Sequence, residues 1–436
     1  MNIPFTKYTL PNGLDVLIHE DHSLPIVAVN VWYHVGSKNE VPGRTGFAHL
    51  FEHLMFEGSQ HYDRGYFHPL QEAGASLNGS TNADRTNYWE VVPTNALDLA
   101  LWMESDRMGY LLPALTEAKF SNQREVVLNE RRQNYENRPY GLAGMAIVSA
   151  LYPAEHPYHW LTIGGADDIR AAHIDDVRAF FQRYYHPANA SLTLAGDVDT
   201  EMGILLADEY FSEIPAGEKP AAVTVTAPAP PAEDVKLVLE DRVELPRLYM
   251  AWHSPALFQD GDAELDLVAE VLSSGKTSRL YRALVYEQRI ATEVAASQNS
   301  RELGSFFQIV ATAAPGRTLA EVERAIVKEL SALLDRGPTA LELERCLAQA
   351  ESHFLFRLQT VGGFGGKSDQ LNAYNTFLGD PGYFTQDLDR YRSATADRLR
   401  AAAVQYLRPA ARIVLSVVPR GRLALALTGS RPVTVS

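Results

Sequence analysis

His49 and His53 stand four residues apart with Glu52 between them, in the stretch Gly46-Phe-Ala-His-Leu-Phe-Glu-His-Leu-Met-Phe-Glu-Gly. On a helix that spacing puts both imidazoles on one face, where they can reach a single ion. Glu52 follows His49 by three residues on the same side, so its carboxylate can take a proton from water that the ion activates without being a ligand itself. The order His-x-x-Glu-His occurs once in the chain and inverts the more common zinc-protease pattern. Without a metal, three titratable groups on an otherwise apolar helix would be desolvated together, which burial penalises. A catalytic zinc needs a third protein ligand and an open position for water. The charged helical stretch from Gln123 to Arg138 offers Glu125, Glu130 and Glu136, and spacing alone does not choose among them.

The elements that must hold these groups are legible as periodicity. Residues 14–19 and 26–34 read as neighbouring strands, and the motif then lies on an apolar helix closed by Gly58. Alternation returns over 77–92 and helical spacing over 98–107. Strands and helices without strict alternation predict an α+β class, with mainly antiparallel sheets packed against helices, rather than a Rossmann fold. The clearest shift in composition is the proline-rich stretch 215–233, which reads as a linker. It predicts a metal-bearing domain over 1–214 and a second domain over 234–436. The two halves end alike, in an amphipathic helix that passes through a proline, Pro187 or Pro409, into a final strand. That repetition at nearly half the chain length predicts two homologous domains, only the first with metal ligands.

Composition narrows the function further. At 436 residues the chain exceeds one core, and a formal net charge of −15 argues against nucleic acid as a partner. No basic segment leading into an apolar core opens the sequence, and no apolar run is long enough for a membrane span. As written, the sequence predicts a cytoplasmic location, with a periplasmic or organellar one open if a targeting segment has been removed. The single cysteine, Cys346, sits in a helical pattern and reads as a small buried hydrophobe. The glycine cluster Val361-Gly-Gly-Phe-Gly-Gly-Lys lacks Walker spacing and reads as a mobile loop or as punctuation between helices. His156 and His159 come with no second ligand set and read as structural.

Four segments together resemble the pitrilysin and insulysin family of inverted-motif zinc peptidases, especially its short members similar to the subunits of mitochondrial processing peptidase. They are Thr45-Gly-Phe-Ala-His-Leu-Phe-Glu-His-Leu-Met-Phe-Glu-Gly-Ser, Asn78-Gly-Ser-Thr-Asn-Ala-Asp-Arg-Thr-Asn-Tyr, Val126-Val-Leu-Asn-Glu and Tyr184-Tyr-His-Pro-Ala-Asn-Ala. The resemblance covers nearly the whole chain. It implies one Zn²⁺ per chain held by His49, His53 and Glu130, the last lying 77 residues beyond His53. It implies that Glu52 is the catalytic base and that an extended peptide adds as a strand beside Asn78, Gly79 and Ser80. Small residues at Gly79 and Ser80 would then floor a subsite for bulky side chains. Two positions depart from the family pattern. Gln123 stands where a supporting Glu is usual, leaving an amide to tune the metal's surroundings. Val285 and Thr292 stand where active members carry an Arg and a Tyr that bind substrate and the oxyanion, and Arg282, Tyr286 and Arg289 give no Arg–Tyr pair at that spacing. The expectation is a zinc endopeptidase for small or unfolded peptides whose site a homologous partner completes. The alternative is a structural subunit of the same fold without activity.

Overall fold

A computed structural model describes residues 2–435 and resolves two compact units, each built on one six-stranded sheet. The first sheet uses β1 (Thr6–Thr9), β2 (Asp15–Glu20), β3 (Ile26–Tyr33), β4 (Ser76–Thr81), β5 (Thr86–Pro93) and β6 (Ala190–Gly196) in the order β1-β2-β6-β3-β5-β4. The second uses β7 (Val235–Asp241), β8 (Arg247–Ser254), β9 (Ala291–Asn299), β10 (Ser305–Ala313), β11 (Ile413–Pro419) and β12 (Arg431–Pro432) in the order β12-β7-β11-β8-β10-β9. Five strands of each sheet correspond one to one, and in each the final strand runs parallel to the first of those five while its other pairings are antiparallel. The duplicated α+β plan is therefore realised strand by strand. Central strands such as β3 (IVAVNVWY) are buried on both faces, as their near-continuous apolar and β-branched character requires.

The units do not follow the two halves of the chain. The first takes residues up to Asn129, 160–223 and 353–386, and the second takes 130–159, 224–352 and the rest from Asp387. One boundary, between Val223 and Thr224, falls inside the proline-rich stretch, but each half also gives a segment to the other unit. The reason lies in how each sheet covers its face. The apolar helix Ala143–Leu151 packs on β8 and β11, and the helix Lys367–Leu378 packs on β3 and β6. The latter docks through polar pairs. Asn372 donates to the Asn30 carbonyl at 2.8 Å and accepts from Thr193 at 2.8 Å. Asn375 donates to Ser191 and to Asp15, both at 3.0 Å. A sheet face bearing buried Asn30, Ser191 and Thr193 needs such partners, since an unpaired buried polar group is destabilising.

The glycine cluster is pinned rather than free. A side chain on Gly362 would sit 2.5 Å from Val91 Cγ2 and 2.7 Å from Ala28 Cβ, so the loop lies flat on the sheet. Behind it, a cavity of about 410 Å³ is lined by Leu24, Ile26, Trp89, Val91 and Val361, among others. Cys346 is fully buried, and burial pushes its thiol up to about 11, as an inert core residue requires. No helix among the described residues is long and apolar enough to cross a membrane.

Candidate metal centre

The motif occupies the helix Phe47–Leu54, which starts from Gly46 in the left-handed region at φ 89°. Its first amides are met by a buried carboxylate: Glu40 accepts from Gly46 N at 2.9 Å and Ala48 N at 2.8 Å, and also from Trp160 Nε1 at 3.0 Å. An acidic acceptor at a helix N-terminus satisfies otherwise orphaned donors. Burial pushes the Glu40 carboxyl up to about 8 although these donors pull it down. Phe47, Leu50, Phe51 and Leu54 enter the core, where Phe51 stacks on Tyr185 with ring centres 4.8 Å apart. The opposite side leaves His49, Glu52 and His53 half-buried. The helix is thus amphipathic rather than buried all round, and its polar stripe is the motif.

One ligand atom each from His49, His53 and Glu130 lies within 4.8 Å of the other two. Glu130 sits in the last turn of the helix Glu117–Arg131, which belongs to the first unit through Asn129. Ligands about 2.1 Å from a tetrahedral zinc lie roughly 3.5 Å apart, so these three can share one ion after small side-chain adjustments. Two imidazoles and a carboxylate are a catalytic zinc set, and the residues present fit the ion. The other glutamates drop out: Glu125 is exposed, and Glu136 pairs with Arg131. Asn134 donates to Glu130 Oε1 at 3.2 Å, one turn on, where the helix widens into a π-turn over Arg132–Glu136. Among the described residues no other group of three could hold a metal ion. His156 accepts from Tyr158 N at 3.0 Å and His159 contacts the Tyr152 carbonyl at 2.7 Å, both structural roles.

Glu52 makes itself felt electrostatically. After burial, its charge adds to the forces that raise the Tyr88 and Tyr185 hydroxyls, and it helps offset the desolvation that lowers Arg85. Gln123 donates to Glu57, just past the motif helix, and so ties the two ligand-bearing helices together. Asn78, Gly79 and Ser80 lie on β4, an edge strand beside the motif helix. The bond from Asn82 N to Arg85 O closes the β4–β5 hairpin, so Asn78 and Ser80 fall in hydrogen-bonded pairs with β5 while Gly79 falls in a non-bonded pair. The Gly79 amide accordingly turns to the open edge, where Asn78 Oδ1 takes it at 2.8 Å. The matching edge strand of the second sheet, β9, is plugged: Ser273 Oγ both accepts from Ala296 N and donates to Ala296 O.

The expected subsite floor at Gly79 and Ser80 needs correction. Gly79 is buried, and a Cβ there would meet the Phe56 and Tyr88 rings at 3.0 Å, so the glycine admits core aromatics rather than a ligand. Ser80 Oγ is already engaged, donating to Asn87 at 2.8 Å and accepting from Arg85 at 2.6 Å. Gly79→Val should therefore lower unfolding stability by about 1–3 kcal/mol through overpacking, read by urea titration. A change within error would show that the rings have room to move. In the second unit, Val285 packs against the core and Thr292 meets the Thr312 carbonyl at 3.5 Å. Arg282 is paired with Glu287 at 2.6 Å, and Tyr286 is 73% exposed. Glu40 and Asn134 carry no periodic or motif signal that would have singled them out, and Arg85, although it lies in the Asn78–Tyr88 segment, is not marked there by spacing.

Residues 15–156 match the model of the insulinase family, peptidase family M16, and residues 172–350 match that of the peptidase M16 inactive domain. The chain belongs to the insulinase family. Within it, the chain is 29% identical over 385 residues to zinc protease PqqE of Helicobacter pylori, spanning 87% of this chain and 86% of that protein. The crystal structure of a protease from Helicobacter pylori has the same fold, with a TM-score of 0.88 at 26% identity over 96% of this chain and all of that one. The periplasmic protease PqqL of Escherichia coli shares the fold at 19% identity and a TM-score of 0.78, with 98% of this chain matching 50% of that one.

Proposed function

We propose that this insulinase-family chain is a zinc-dependent endopeptidase that hydrolyses small or unfolded peptides. The observation that carries the reading is the convergence of His49, His53 and Glu130, with Glu52 on the same helix stripe. His49, His53 and Glu130 would hold one Zn²⁺ per chain, which when bound polarises a scissile carbonyl and makes water acidic enough to react near neutral pH. Glu52 accepts the proton released by the attacking water and returns it to the departing amine, a shuttle its half-buried carboxylate can perform without ligating. The open edge of β4 takes the substrate as an added strand, which selects extended chain over folded protein. The name zinc protease borne by the Helicobacter pylori relative supports the metal.

A homologous partner supplies the oxyanion donors. Two observations support this: Val285 and Thr292 offer neither a cation nor a phenol, and the Escherichia coli protein carries this fold in half of its length. Those same residues, with the match of 172–350 to an inactive-domain model, are what favour the second reading, a non-catalytic subunit. The two readings separate in a quenched-peptide assay with the partner present. The peptidase reading expects hydrolysis that a chelator abolishes and stoichiometric zinc restores. Bound zinc with no hydrolysis beside any homologous partner would favour the second.

A further inference from the structure

Asp369 lies in the first turn of the helix Lys367–Leu378, from the second half of the sequence, yet it acts on the first sheet. Its Oδ1 accepts from Trp32 Nε1 at 2.9 Å, Asn87 Nδ2 at 3.2 Å and Asn30 Nδ2 at 3.5 Å. Its Oδ2 accepts from Gly365 N at 2.8 Å, which fixes the glycine loop. Asn87, itself fully buried, passes the constraint outward by accepting from Ser80 Oγ at 2.8 Å. Arg85 closes the circuit. Its guanidinium lies 5.1 Å from the Trp32 ring centre and donates to Ser80 O at 2.8 Å and Ser80 Oγ at 2.6 Å. The charge of Asp369 is the leading influence that opposes the desolvation of this cation.

The path ends on the strand edge that the fold leaves open beside the motif helix. We infer that Asp369 is a positioning residue for peptide capture: through Asn87 and Arg85 it holds Ser80, and with it the β4 edge, in the geometry an added strand requires. The inference rests on the proposed strand addition at β4. Helix docking alone would not need this arrangement, because Asn372 and Asn375 already fasten the helix to the sheet. A pre-ordered edge binds more tightly because less conformational freedom is lost on association.

The test uses donor–acceptor complementarity. Asp369→Asn leaves a single acceptor oxygen for donors that use both: turned to Trp32, Asn87 and Asn30 it sets its amide nitrogen against Gly365 N, and turned to Gly365 it sets that nitrogen against the Asn87 amide, donor to donor. Adding Asn87→Asp restores the contact: the carboxylate then at position 87 accepts both from the amide at position 369 and from Ser80, and negative charge returns beside Arg85. Binding of a fluorescein-labelled extended peptide is read by anisotropy in the non-hydrolysing Glu52→Gln protein, and KM and kcat are read in the otherwise native protein with its partner. Asp369→Asn should weaken binding and raise KM by about tenfold, with kcat and zinc content nearly unchanged, and the double variant should recover most of the loss. If Asp369→Asn does not fold, Ser80→Ala should still weaken binding about threefold. Unchanged peptide binding in these variants, or a double variant that regains thermal stability without regaining affinity, would overturn the inference. Because anisotropy needs no turnover, a failed zinc-peptidase reading would show as binding without hydrolysis and is distinguishable from failure of the positioning role.

Discussion

Glu52→Gln should lower kcat/KM on a quenched peptide by about a thousandfold while zinc stays bound at one ion per chain. The substitution keeps shape and removes the proton acceptor, and Glu52 is outside the group of three ligand atoms, so the metal has no reason to leave. Arg85 would lose one of its compensating charges, but Asp369 and Asp84 remain. Kinetics paired with metal analysis check this. A variant that loses zinc would make Glu52 a ligand, and one that keeps its rate would place the base elsewhere.

The second large effect concerns what the chain does by itself. Purified alone, it should hydrolyse the quenched peptide at least about a hundredfold more slowly than with a homologous chain carrying the Arg and Tyr, the usual scale of lost oxyanion stabilisation. The reason is local. Val285 is an apolar side chain packed against the second core, Thr292 meets a backbone carbonyl, and Arg282 is already paired, so these positions offer no donor to stabilise developing charge. Mixing the chain with a homologous chain that bears this pair measures the effect directly. Full activity from the isolated chain would remove the need for a partner.

How much of this was legible depended on whether a residue's role leaves a periodic trace. The motif helix and strands such as β3 did, because core-facing apolar residues recur at 3.6 or continuously. The third ligand did not: Glu125, Glu130 and Glu136 look alike in sequence, and only the direction of the Glu117–Arg131 helix and the Arg131 pairing of Glu136 separate them. The helix Lys367–Leu378 was hidden for the opposite reason. Its buried face carries Gln370, Asn372 and Asn375, so it reads as a surface helix although it covers the sheet of the other half. Division at the proline-rich stretch therefore missed the exchanged segments. Gly79 misled through its size, since a small residue beside a cleft and one beneath a packed ring have the same sequence signature.

Metal content decides the central claim. Zinc measured on purified wild type, His53→Ala and Glu130→Ala, each checked for folding by circular dichroism, should give one ion per chain in the first and a large loss in both variants. Folded variants that keep a full complement of zinc would contradict the assignment of His49, His53 and Glu130 as the shared ligand set.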